Sequence, residues 1–129
     1  DLTYNIIGAA IEVHKAIGPG LLETVYHQCL MEELRQRNIK FEKERIVPIH
    51  YKGLVLDVDL RCDLFVENCI VLELKAVKEL HPVFEAQLLT YMNLLEAPKG
   101  ILINFFSNNL FKEGQKTFVN EIFRNLPEH

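Results

Sequence analysis

Several absences narrow the reading of this 129-residue chain. It has only three cysteines, Cys29, Cys62 and Cys69, an odd number with no CxxC spacing. A disulfide framework and a zinc knuckle are both unexpected. The three read as reduced, mostly buried thiols of a cytosolic protein. There is no excess of positive charge: 14 Lys and Arg stand against 18 Asp and Glu, for a formal net charge of −4. That balance argues against a general nucleic-acid-coating role, which leaves a basic footprint. It is compatible with an acidic site that holds divalent cations. No apolar run approaches the roughly 20 residues needed to span a bilayer, so no membrane partner is expected. No basic start precedes an apolar run, so no secretory leader is expected and the location reads as cytoplasmic. His14, His27, His50 and His81 show neither HxxxH nor HxH spacing, which speaks against zinc. GxGxxG, Walker and GxSxG motifs are missing as well. Asp1 stands in place of an initiating Met, as a trimmed start would leave it, and Pro127-Glu128-His129 carries no reading.

What is present is the composition of a globular protein, 49% hydrophobic and 25% charged, which excludes wholesale disorder. The length suits one domain over residues 1–129. Such a chain buries roughly two-thirds of its unfolded surface, enough for a core without staples. No repeat, low-complexity stretch or linker interrupts it.

Apolar residues at Ile6, Ala9, Ala10, Val13 and Ile17 recur at spacings of three and four, predicting a helix from Leu2 to about Ile17. Gly18-Pro19-Gly20 ends it. A second helix is predicted from about Leu22 to Gln36, with the stripe Leu22, Val25, Tyr26, Cys29, Leu30 and Leu34. Lys40 to Tyr51 then alternates as a strand, with Pro48 marking an edge or bulge. Leu54 to Val66 reads as a second strand and Ile70 to Ala76 as a third. Pro82 opens a helix from about Val83 to Leu95, with Phe84, Leu88, Tyr91 and Leu95 inward. Ile101 to Phe106 reads as a central buried strand. The tail allows a strand near Thr117-Phe118-Val119 or a terminal helix. The order α-α-β-β-β-α-β predicts an α/β fold, a mixed sheet flanked by helices, with the third helix forming a right-handed crossover.

The chemistry lies on the second and third strands. Alternation puts Arg61, Asp63 and Phe65 on one face, and Val71, Glu73 and Lys75 on one face. A three-residue loop, Glu67-Asn68-Cys69, with Asn68 left-handed, sets Asp63 opposite Glu73 on the same side of the sheet. Opposed residues lie about 4.5–5.5 Å apart at Cβ. A two-residue turn at Glu67-Asn68 instead pairs Asp63 with Leu72 and splits the carboxylates between faces. Two like charges in an apolar strand repel, and burial worsens this. A divalent cation between them reverses the sign. Mg2+ or Mn2+ takes hard oxygen ligands, here the Asp63 and Glu73 carboxylates and the Leu74 carbonyl. The ion then polarises a phosphoryl group and activates water, with Lys75 stabilising developing charge. The competing reading is a structural ion-pair cluster of Asp63, Glu73 and Lys75.

Further polar residues extend the pattern. Gly20-Leu21-Leu22-Glu23-Thr24-Val25-Tyr26, Asp63, Glu73-Leu74-Lys75 and Gln87-Leu88-Leu89-Thr90-Tyr91 resemble the bacterial and archaeal GxxExxY family over about residues 5 to 120. That family is grouped with the PD-(D/E)xK nuclease-like superfamily, so the resemblance implies a restriction-endonuclease-like fold. It implies that Glu23 is the extra acidic residue that RecB-like members place beside the metal. Asp63 matches the motif aspartate, with Cys62 where the superfamily name suggests proline. Glu73 and Lys75 match ExK, and Gln87 and Tyr91 match QxxxY. Gln87 and Tyr91 share a helix face, as do Glu23 and Tyr26. Each also has a plainer reading: Tyr26 and Tyr91 as core residues with bonded hydroxyls, Gln87 as partner to a backbone group, Glu23 as a complement to the helix dipole. Arg61, Lys75 and Lys78 are candidate phosphate contacts. The run from Lys40 to Arg45 is mixed in sign and reads as a solvated strand face.

The expectation is a metal-dependent nuclease acting on DNA or RNA. The alternative is a nuclease-fold binding or adaptor module without turnover, suggested by the acidic charge and the lack of an evident basic groove. Self-association or a protein partner is expected in either case, because the chain holds no second domain to grip substrate.

Overall fold

A computed structural model describes residues 1–127; Glu128 and His129 lie outside the described residues. The elements in chain order are α1 (Leu2–Ile17), α2 (Glu23–Gln36), β1 (Phe41–Ile46), β2 (His50–Tyr51), β3 (Leu54–Val55), β4 (Arg61–Val66), β5 (Ile70–Lys75), α3 (Pro82–Leu94), β6 (Lys99–Asn104), α4 (Leu110–Glu113), β7 (Gln115–Val119) and α5 (Glu121–Arg124). Helix boundaries follow the local signals. Asp1 caps α1 through the Thr3 amide, and Pro82 occupies the first turn of α3, where its missing N–H is harmless.

Five strands form one sheet in the order β1-β4-β5-β6-β7. The neighbours pair antiparallel except β5 and β6, which run parallel across the α3 connection. A crossover through α3 therefore joins these two strands. Helices cover both faces. Tyr26, Leu30 and Leu34 of α2 join Ile6, Ala9 and Ala10 of α1 over Leu64, Leu72, Leu74 and Ile101. On the opposite face Leu88, Tyr91 and Met92 of α3 pack on Phe65, Val71 and Leu102. This is the mixed, helix-flanked sheet expected of a restriction-endonuclease-like fold. The tail supplies both elements that were expected as alternatives, β7 and then the short α5. Among the described residues no helix is long and apolar enough to cross a membrane.

Two strand expectations need correction. Lys40 to Tyr51 is not one strand: β1 ends at Ile46, before Pro48, and only His50–Tyr51 pairs onward. Leu54 to Val66 is likewise divided, because its first half forms a two-residue arm with β2 and residues 56–60 pair with no strand. Leu54, Leu56 and Val58 alternate in sequence yet remain exposed, so their period marks faces of a segment that the main sheet never recruits. In the second helix the expected stripe holds at Tyr26, Leu30 and Leu34, while Leu22 and Val25 are exposed.

The parallel strand β6 lies tight against α3. A methyl added at Gly100 would sit 2.6 Å from Met92 Sδ and 2.9 Å from Leu88 Cδ1. Gly100→Ala is therefore expected to lower the unfolding free energy by about 1–3 kcal/mol through overpacking. Urea denaturation measures it, and an unchanged midpoint contradicts so close an approach.

Candidate functional site

The β4–β5 hairpin has the three-residue loop register: Val66 pairs with Ile70, Phe65 with Val71 and Leu64 with Leu72. Glu67 and Asn68 both take left-handed conformations in the loop, with φ of 51° and 55°. Continuing that register brings Asp63 to Glu73. There the ladder gives way to side chains. Glu73 Oε2 accepts the Asp63 backbone N–H at 2.7 Å, and Asp63 Oδ2 accepts the Leu74 N–H at 2.7 Å. Each carboxylate is held by the opposite strand. Because the N–H and C=O of a strand residue leave from the same side, the Leu74 carbonyl also faces β4.

The expected common face for Arg61, Asp63 and Phe65 is not observed. Leu64 and Val66 belong to the α1–α2 core, whereas Cys62 belongs with Phe65 to the α3 core. Alternation therefore breaks at Asp63. Across the strand Lys43 pairs with Leu64 and Arg45 with Cys62, while Glu44 between them has φ of 50°. This irregularity turns Asp63 toward α2, where its Oδ2 lies 3.6 Å from His27 Nε2. Arg61 instead pairs with Asp59 at 2.6 Å. Glu73 leaves toward α3, as does Lys75, whose ammonium sits 4.4 Å over the Phe84 ring. The two carboxylates thus meet at the open end of the hairpin from opposite layers.

Glu73 is only 4% exposed. Burial first, and then the Asp63 charge, push its carboxyl up to about 8, against the opposing pull of the Asp63 N–H and of Lys75. Burial also raises Tyr91, with further contributions from the charges of Glu73, Cys62 and Asp63. Tyr91 is a buried residue of α3. Gln87, one turn earlier, is exposed and makes no hydrogen bond among the described residues. Cys62, in the position of the motif proline, is fully buried, and its thiol is pushed up to about 12, mainly by burial.

The Gly20–Tyr26 motif is a local device. Tyr26 is fully buried, stacked on Phe105 with ring centroids 4.5 Å apart. Its hydroxyl donates to the Gly18 carbonyl at 2.6 Å and accepts the Leu21 N–H at 3.1 Å. Gly20, with φ of 96°, permits the turn between them. The plainer reading of Tyr26 as core with a bonded hydroxyl is the one found. The pinned turn places Glu23 in the first turn of α2. From there its Oε1 reaches 3.5 Å from His27 Nε2. Glu23, His27 and Asp63 each offer a ligand atom within 4.8 Å of the others. His27 was not among the expected site residues. Its signal was the four-residue spacing from Glu23, hidden when histidines are paired only with histidines.

The Glu23 and Asp63 carboxylates with the His27 nitrogen suit a divalent cation, while the buried Glu73, bonded to the Asp63 backbone N–H, lies outside that group. The helix-flanked mixed sheet with an acidic pair and an ExK lysine on its central hairpin defines a nuclease-type α/β class. A family model described as the PD-(D/E)XK nuclease superfamily matches residues 1–118, and the chain belongs to that superfamily. No curated protein and no solved structure matches it.

The Glu73 carboxyl gives a signed pH prediction. Its folded value is raised above the ordinary 4.5, so the folded protein holds this proton more tightly than the unfolded chain. The contribution to stability is complete below about 4.5 and is lost as pH rises through about 8. Without metal, Glu73→Gln should melt above the wild type at pH 9, with the gap closing toward pH 4. A gap that does not vary with pH contradicts the raised value. Tyr26→Phe is expected to cost about 1–3 kcal/mol, since two hydrogen bonds go while the ring stays. Chemical denaturation of the pair measures it.

Proposed function

We propose that the chain is a metal-dependent nuclease of the GxxExxY, RecB-like type, hydrolysing phosphodiester bonds of DNA or RNA in the cytoplasm. Residues 1–129 would act as a single domain, with a second copy or a protein partner helping to hold substrate. The observation that carries this reading is the near-complete burial of Glu73 against Asp63. Two carboxylates locked together in an apolar sheet are poorly placed as a structural feature, and well placed as half of a cation cage.

Asp63, Glu73, Glu23 and the Leu74 carbonyl are the groups that would hold Mg2+ or Mn2+, with the His27 nitrogen beside Glu23 and Asp63. The bound ion supplies Lewis-acid polarisation of the phosphoryl oxygen and a water of lowered pKa. Lys75 lies on the Glu73 face and balances negative charge gathering on the phosphate. Its ammonium is steadied by the Phe84 ring. Tyr91, buried on α3, would stand on the α3 side of the site. Gln87, exposed one turn before Tyr91 on α3, would bond a substrate oxygen.

The test is calorimetric titration of Mg2+ and Mn2+ joined to cleavage assays on plasmid and single-stranded substrates. Wild type should bind and cut. Asp63→Asn and Glu73→Gln should lose both, while Lys75→Met should keep metal binding and lose about 10²-fold or more in rate. Full cleavage by Glu73→Gln would falsify the assignment. A wild type that neither binds metal nor cuts supports the turnover-free binding module instead.

A further inference from the structure

We infer that a trough between α2 and the edge strand β1 carries the phosphate backbone of one nucleic-acid strand into the Glu23–Asp63 end of the site. The inference rests on the metal-dependent nuclease reading and names the surface by which substrate reaches it.

The trough follows from the fold. Strand β1 is the outer strand of the sheet, while α2 packs further in, against β5. A channel is left between helix and edge. One stretch of it, about 710 Å³, is lined by Arg35, Asn38, Lys40, Phe41 and Lys43. The next, about 350 Å³, is lined by His27, Met31, Lys43, Glu44, Glu23 and Asp63. Lys43 lines both, at the point where the two stretches adjoin. Along α2 the trough runs from Glu23 to Arg35, about 18 Å at the helical rise. A strand stacked at roughly 3.4 Å per nucleotide spans it with several nucleotides.

Charge is graded along that path. The far end carries Arg35, Lys40 and Lys43. Among the described residues the Lys40 and Lys43 ammonium groups take part in no ion pair, and Arg35 has only an exposed, 3.6 Å contact to Glu32. The Arg35 guanidinium lies 5.3 Å over the Phe41 ring, leaving its other planar face for a base or phosphate. The near end carries Glu23, Glu44 and Asp63, which repel a phosphate until a divalent cation neutralises them. Cations that collect a polyanion, leading to carboxylates that accept it only with metal, match one phosphodiester chain entering a metal-dependent site.

The sorting of charge comes from the irregularity at Glu44. Lys43 pairs with Leu64 and so faces α2, whereas Arg45 faces α3, its guanidinium 5.4 Å over Phe65 and bonded to Glu42 at 3.0 Å. The mixed run Lys40–Arg45, expected as a solvated face, is thereby divided: its free cations go to the trough and its paired ones to the other side.

Fluorescence anisotropy of a labelled 15-nucleotide single strand tests this, with calcium as the cation because it takes the same oxygen ligands. Lys43→Glu and Arg35→Glu should each weaken binding about tenfold or more, and flatten the plot of log affinity against log salt by about 0.7 per lost contact. Arg124→Glu, on α5, should stay within about twofold of wild type, and circular dichroism checks that the variants fold. If both trough variants match Arg124→Glu, the trough is overturned. The same holds if wild type prefers duplex, or takes up metal by calorimetry yet binds no strand. If calorimetry finds no metal, the metal reading fails by itself, and the same variants measured without cation still decide the trough.

Discussion

The reciprocal hold between Asp63 and Glu73 is the constraint on which the rest of the site depends. Each carboxylate accepts a backbone N–H of the strand that carries the other, or of the residue beside it. Side chains thus replace ladder bonds at the open end of the central hairpin. The exchange satisfies backbone donors that would otherwise be orphaned, and it fixes two acidic groups in a place where their charges repel. Neither group can swing into solvent without freeing a part-buried N–H. The fold therefore sets two like charges side by side, and burial together with the Asp63 charge pushes the Glu73 carboxyl upward.

The surrounding elements serve that arrangement from two sides. On the α2 side, the Tyr26 hydroxyl ties down the Gly18–Leu21 turn, which sets where α2 begins and hence where Glu23 and His27 stand. On the α3 side, the Phe84 ring packs against the Lys75 ammonium. Asn104 fixes the exit of β5: its amide bonds the Val77 carbonyl and its oxygen accepts the Val77 N–H. Tyr26 of the motif is thus scaffold, while Glu23 lies beside His27.

Much of this was legible in the sequence. The helices announce themselves by their 3.6 period and by Gly18, Gly20 and Pro82. Loop length alone separated the hairpin registers, because one residue more or less in the 67–69 loop sends every side chain to the other face. What was not legible is tertiary. Leu54, Leu56 and Val58 alternate as a core strand does, yet period says nothing about whether a partner strand is there. The turning of Asp63 toward α2 depends on the left-handed Glu44 across the strand, which no pattern around Asp63 records. His27 was hidden because its partners are an acid one turn earlier and another on a distant strand. The basic trough was hidden because the Lys40–Arg45 run looks neutral until the fold deals its charges to two faces.

With its carboxyl pushed up to about 8 by burial and by the Asp63 charge, Glu73 would have to give up a proton to bind a cation near neutral pH. Calorimetry of Mn2+ binding at pH 7, repeated in buffers of different ionisation enthalpy, reads the proton count directly. About one proton should be released per ion, lost together with binding in Glu73→Gln. Metal binding of undiminished strength with no proton released would contradict it.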